Sequence, residues 1–129
     1  MRRRILLVDD EFPTRKILKF NLEQAGYEVF IANDGLEAWE ALRRVPIDLL
    51  IIDEIMPRMT GSSVCEMVRD AGERPIPVVM ITAKTPPFTG EVLESLGVAH
   101  CFAKPFSPRD LIAKVDELLS NASAAIGRF

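Results

Sequence analysis

Leu49-Leu50-Ile51-Ile52-Asp53 is the stretch whose reading fixes the kind of fold this chain can adopt. Four consecutive apolar residues with no polar alternation read as a strand covered on both faces. Aspartate is a poor interior strand residue. At the end of such a run, Asp53 is either a turn residue or a carboxylate held at the mouth of a sheet. Ile5-Leu6-Leu7-Val8 ends the same way, in Asp9-Asp10-Glu11. Two buried strands that deliver carboxylates to one edge make an acidic cluster, which must bind a cation or shift its own protonation.

Outward from these two strands the pattern alternates. Strands are expected over residues 5–8, 27–32, 49–52, 77–81 and 101–103, and helices over 14–25, 36–45, 62–71, 89–96 and 108–119. Leu18, Leu22 and Ala25 are spaced for one face of the first helix, which Gly26 ends. Asn33-Asp34-Gly35 is turn chemistry that can also cap the second helix. Val64, Met67, Val68 and Ala71 share a face of the third. Ser107 and Pro108 suit the cap and first turn of the last. Gly61 reads as a turn residue needing positive φ.

Five strands, each followed by a helix, imply a doubly wound α/β fold: a five-stranded parallel sheet with helices on both faces, of the flavodoxin-like (βα)5 kind. Ligands of such sheets bind beyond the carboxyl ends of the strands. The residues at those ends are Asp9, Asp10, Asp53, Thr82 and Lys104.

At 129 residues the chain suits one domain, expected over residues 1–120, with 121–129 as a tail or the start of a linker. A hydrophobic content of 48% beside 27% charged residues is that of an ordinary globular protein. The net charge of −3 argues against nonspecific nucleic-acid binding. Arg2-Arg3-Arg4 is followed by only four apolar residues, too few for a signal-peptide core, and no stretch reaches membrane-spanning length. A cytoplasmic protein without membrane contact is expected. Cys65 and Cys101 read as small buried hydrophobes of a reducing compartment. Trp39, Met56, Met59 and Met67 read as packing residues. His100 lacks the companions of a metal site.

Here the residues carry a resemblance. The chain resembles the response-regulator receiver domains of two-component signalling, over roughly residues 5–119. The matching features are Asp9-Asp10-Glu11, Asp53-Glu54-Ile55-Met56-Pro57 with Gly61, Thr82-Ala83, and Lys104-Pro105-Phe106, in order at four successive strand ends. Alone, each has a plain structural explanation: Asp9 and Asp10 as helix caps, Asp53 as a turn residue, Thr82 as a hydroxyl bonded to backbone, Lys104 as a solvated charge. The signal is their combination.

By the resemblance, Asp53 is the carboxylate that accepts a phosphoryl group from a histidine kinase or phosphotransfer protein, forming an acyl phosphate. Asp10 is implied to bind Mg²⁺ (or Mn²⁺) directly and Asp9 largely through metal-bound water, with Asp53 and the Ile55 backbone carbonyl completing the protein's share. Lys104 is implied to pair with the phosphoryl oxygens and Thr82 to hydrogen-bond them. Ala83 is small enough to admit the phosphate to its backbone N–H. The Lys104-Pro105 bond is implied to be cis.

The chain also departs from the family. Cys101 stands where many receivers carry Tyr or Phe, three residues before the lysine, and Phe102 alternates to the other face. The usual aromatic readout is therefore absent, and the expectation is that Thr82 signals through the loop after the fourth strand. That loop holds Pro86-Pro87-Phe88, which should shorten the fourth helix so that it begins near Thr89. These three residues form either a stiff docking patch or a loop that packs Phe88 on its own core. Ile55 should shield the acyl phosphate from water. Glu91 and Glu94 without a basic partner suggest a monomer or weak dimer.

The leading reading is a phosphoacceptor switch for an unknown downstream effector, with only slow self-catalysed chemistry. A Mg²⁺-dependent phosphohydrolase would need an acid at position 55. A receiver-like domain that is never phosphorylated would be expected to lose an acid or the lysine. A flavodoxin-like cofactor binder would want a Ser/Thr/Gly-rich loop where Asp9-Asp10-Glu11 stands.

Overall fold

Period-two alternation along the apolar strands sends their side chains to two separate layers, and the computed structural model follows that rule. It describes residues 2–72, 75–83 and 88–126, with side chains as far as residue 120. The elements in chain order are β1 (Arg4–Val8), α1 (Phe12–Gln24), β2 (Glu28–Ala32), α2 (Gly35–Arg44), β3 (Leu49–Asp53), α3 (Gly61–Asp70), β4 (Val78–Thr82), α4 (Gly90–Ser95), β5 (Val98–Ala103) and α5 (Pro108–Ile126). All strand pairs are parallel, in the order β2-β1-β3-β4-β5. The order reverses direction between β1 and β3, so the strand ends carrying Asp9 and Asp53 flank the switch point where ligands of such sheets bind.

Leu6, Val8, Leu50, Ile52 and Met80 face one layer, against Ala38 of α2 and Val64 and Cys65 of α3. Ile5, Leu7, Leu49, Ile51, Val79 and Ile81 face the other, against Leu18 and Leu22 of α1 and Leu111, Val115 and Leu119 of α5. The central strands β3 and β4 are buried along their whole length. Burying one such side chain stabilises the fold by about 1.5–3 kcal/mol.

The ends of several elements differ from expectation for identifiable reasons. α1 starts at Phe12 because Pro13 is tolerated in a first turn, and Ala25 is an exposed C-cap rather than a core residue. β4 begins at Val78 because Pro77 has no N–H to donate, although its carbonyl accepts from Leu50. β5 starts at Val98 and pairs with β4 across an irregularity at Val78/Val79; as an edge strand with exposed positions it lacks a clean apolar signal. α5 runs to Ile126, past the expected helix end at residue 119. α4 has six residues and is capped by Thr89, whose hydroxyl accepts from the Val92 N–H. Asp34 and Thr60 cap α2 and α3 in the same way.

Gly61 is not a positive-φ residue; Gly26, Gly72 and Gly97 are. Gly61 is required by close approach instead. A Cβ there would lie 2.6 Å from the Asp53 carbonyl oxygen, a backbone atom that cannot rotate away. The start of α3 thereby packs directly on the end of β3. Gly61→Ala is expected to cost about 2 kcal/mol of folding stability by overpacking, measured by urea denaturation. A midpoint equal to that of the wild type would show that the β3–α3 junction yields without penalty.

Candidate functional site

β1 and β3 end side by side, and each hands a buried carboxylate to the same edge. Asp9 and Asp53 are 0% and 2% exposed, whereas Asp10 is on the surface. Asp9 Oδ1 accepts the Glu11 N–H at 2.8 Å, and Asp53 Oδ1 accepts the Ile55 N–H at 3.0 Å. Each aspartate thus ties down the loop that follows its strand. Neither Asp9 nor Asp10 caps α1, whose N-cap is Glu11 without a side-chain capping bond. Asp9 Oδ2 is buried with no hydrogen-bond partner among the described residues.

Lys104 follows β5 and comes to the same place, with its Nζ 2.6 Å from Asp53 Oδ2 and 3.3 Å from Glu11 Oε1. The Lys104-Pro105 peptide is cis. Thr82 at the end of β4 is buried; its hydroxyl donates to the Ala83 carbonyl at 3.0 Å and accepts from Cys101 Sγ at 3.7 Å. The hydroxyl is thus satisfied by backbone and by β5, not by Asp53. Cys101 packs with the α2–α3 layer while Phe102 packs with the α1–α5 layer, as strand alternation requires.

The electrostatics follow from burial. Loss of water pushes the Asp9 carboxyl above the usual range, the Glu11 N–H pulls it back, and the Asp53 charge pushes it further up. Burial pulls Lys104 down, but the hydrogen bond and charge of Asp53, with Asp9 and Glu11, outweigh it and raise the ammonium's pKa. Cys65, buried in α3, is pushed up to about 12 by burial and nearby glutamates, so it is no nucleophile at neutral pH.

One oxygen from each of Asp9, Asp10 and Asp53 lies within 4.8 Å of the others. Three hard oxygen donors, one with a buried and unsatisfied atom, are the chemistry that Mg²⁺ or Mn²⁺ takes, and the site fits such an ion.

Sequence reasoning passed over three contributors. Glu11 shares Lys104 with Asp53. Arg15 donates to the Asp9 carbonyl at 3.1 Å and to Asn33 Oδ1, bracing the β1 loop. Glu54, 9% exposed, accepts from the Ser62 N–H at 2.6 Å and from its hydroxyl at 3.0 Å, which fixes α3 against the end of β3. A carboxylate placed directly after a buried strand end was the only hint of this last role. Ile55 is 68% exposed beside the site. Phe88 is half-buried and packs on the α2–α3 layer, whereas Pro86 and Pro87 lie outside the described residues.

Comparison with known proteins agrees with this geometry. Residues 5–116 match the model of the response regulator receiver domain. The alkaline phosphatase synthesis transcriptional regulatory protein PhoP of Bacillus subtilis is 36% identical over 125 residues, 97% of this chain and 52% of that protein. The chain therefore spans about half the length of that curated relative. A CheY-like receiver domain protein from Methanospirillum hungatei superimposes with a TM-score of 0.89 at 27% identity, over 97% of this chain and 99% of that one. Chemotaxis protein CheY4 of Vibrio cholerae gives 0.82 at 31% identity, over 92% and 99%.

Asp9→Asn keeps the acceptor for the Glu11 N–H and removes a desolvated charge. Because the folded-state pKa of Asp9 is raised, the wild type is penalised as pH rises through that value and not below the unfolded value. The variant is expected to be about 1 kcal/mol more stable near neutral pH without divalent cations, with the gain vanishing in acid. Mg²⁺ should stabilise the wild type by mass action and the variant much less. Thermal unfolding with and without Mg²⁺ at two pH values checks this; equal stabilisation of both proteins by Mg²⁺ would refute it.

Proposed function

The chain belongs to the response regulator receiver domain family, and on that premise we propose that it is a phosphoacceptor switch in which Asp53 takes a phosphoryl group from a sensor histidine kinase or a phosphotransfer protein. The observation that carries this reading is the Asp53–Lys104 contact at 2.6 Å beside the three-carboxylate cluster. A phosphoryl acceptor needs an in-line nucleophile and neutralisation of equatorial charge more than it needs acid–base help. Asp53 offers the nucleophile on an anchored strand end, held through its other oxygen by the Ile55 N–H.

In the proposed transfer an Asp53 oxygen forms the new bond to phosphorus. The phosphorus–nitrogen bond to the donor imidazole breaks, and the electron pair returns to that ring. Lys104 then turns from the carboxylate to a phosphoryl oxygen. The Thr82 hydroxyl exchanges the Ala83 carbonyl for another, and the small Ala83 leaves room. Asp9, Asp10, Asp53 and the Ile55 carbonyl would hold Mg²⁺ or Mn²⁺, which supplies positive charge against the repulsion between phosphate and the acidic cluster. The exposed Ile55 offers no acid to activate water, which supports a slow switch over a phosphohydrolase. The hydroxyl's movement away from Cys101 would change the β4–β5 edge and the loop after β4, the surface proposed for the effector or output domain. Residues 1–120 would form the receiver of a cytoplasmic protein, with residues 121–129 as a tail or the start of a linker.

The donor needs a surface near Asp53. Ile17 and Lys104-Pro105 line a cavity of about 300 Å³, Lys104 being the partner of Asp53, and Phe12, Ile17 and Phe20 of the same helix α1 stand 53–62% exposed. Exposed apolar residues rimmed by charge mark an interaction surface. We assign phosphodonor docking to this face.

Acetyl phosphate with Mg²⁺ is expected to add the mass of one phosphoryl group to the intact protein, and neither Asp53→Asn nor magnesium-free protein should gain it. No gain in the wild type would leave a receiver-like interaction domain. Replacing Ile17 and Phe20 together by Glu should slow phosphorylation by a kinase or phosphotransfer protein roughly tenfold or more while acetyl phosphate labelling is unchanged. Equal loss with both donors would point to a damaged fold instead of a docking face.

A further inference from the structure

The opposite end of the sheet has a feature that the phosphoacceptor chemistry does not use. Between the start of β1, α2 and the segment entering β3 lies an open cavity of about 540 Å³, in the size range of small-molecule sites. Trp39, Leu42 and Ile47 are among its apolar lining, and among the described residues four arginines line it: Arg2, Arg3, Arg4 and Arg43. Among the described residues its lining contains one carboxylate, Asp48. A chain of net charge −3 thus gathers four guanidiniums around one opening, at the sheet end away from its acidic cluster.

Among the described residues, internal ion pairs engage two of these four cations. Arg4 Nε pairs with Glu28 at 3.0 Å, and Arg3 is 3.9 Å from Asp48. Arg2 and Arg43 make no ion pair with a carboxylate among the described residues. Arg43 is exposed, with its guanidinium 5.8 Å from the Trp39 ring centroid.

The occupant must answer both halves of this lining. Inorganic phosphate would leave the apolar wall wet. A fatty acid would set one carboxylate against several arginines. A nucleotide satisfies both, because its base has an apolar face for Trp39 and the aliphatic wall, and its phosphates accept the paired donors of guanidinium groups. We propose that this cavity binds a nucleoside di- or triphosphate, independently of the chemistry at Asp53.

Trp39 is the only tryptophan, so its emission reports on this cavity alone. The full chain is titrated with ATP and with GTP in EDTA, which stops the acidic cluster from recruiting nucleotide through a metal, and calorimetry gives the affinity. The expected result is a saturable change in Trp39 emission with at least one of the two. Arg2→Ala and Arg43→Ala should each weaken binding roughly tenfold. Acetyl phosphate labelling of Asp53 should stay at the wild-type level in both variants, which shows that they are folded and separates this inference from the phosphoacceptor reading. Absence of saturable heat at millimolar nucleotide overturns the proposal. So does unchanged affinity in the two variants, or pyrophosphate binding as tightly as ATP while adenosine fails to compete.

Discussion

The contact between Asp53 and Lys104 is the interaction on which the functional end of this molecule depends. Two aspartates at the ends of adjacent buried strands repel each other, and burial raises the cost of both charges. The ammonium of Lys104, 2.6 Å from Asp53, is the nearest compensation. It is shared with Glu11, so a single cation steadies the loops after β1, β3 and β5. Among the described residues Asp9 Oδ2 has no such partner, an imbalance that a divalent cation would relieve.

Backbone donors do the rest of the positioning. The N–H groups of Glu11 and Ile55 each hold one carboxylate oxygen and leave the other facing the site. Gly61 lets α3 begin against the Asp53 carbonyl, and Glu54 clamps that helix from below through Ser62. A carboxylate seated this firmly has little orientational freedom left to lose, the condition under which positioning contributes to reactivity. At the far end of the sheet the charge has the opposite sign, with arginines around Trp39. The parallel strands keep these two ends apart.

Much of this was legible in the chain. Uninterrupted apolar runs ending in acids identified a parallel sheet with its site at the carboxyl ends, and the strand-end residues Asp9, Asp10, Asp53 and Lys104 do converge. The illegible parts share a cause. β5 is an edge strand and lacks the two-sided burial that makes a run apolar. The end of α5 is alanine-rich and polar, which resembles a tail although nothing in it breaks a helix before Gly127. Gly61 looked like a turn glycine because sequence cannot distinguish a residue that needs positive φ from one that must leave space.

What the sequence alone determined is the set of chemical groups and their order. Strand periodicity is local, so the apolar runs and the acids that close them could be read residue by residue. Only the tertiary structure decided which groups come together: that Lys104 reaches both Asp53 and Glu11, that Thr82 is engaged by Ala83 and Cys101, and that Arg2, Arg3, Arg4 and Arg43 line one cavity with Trp39. Those contacts join residues up to 93 positions apart. They arise from strand order and register, which are properties of the packed sheet and of no segment by itself.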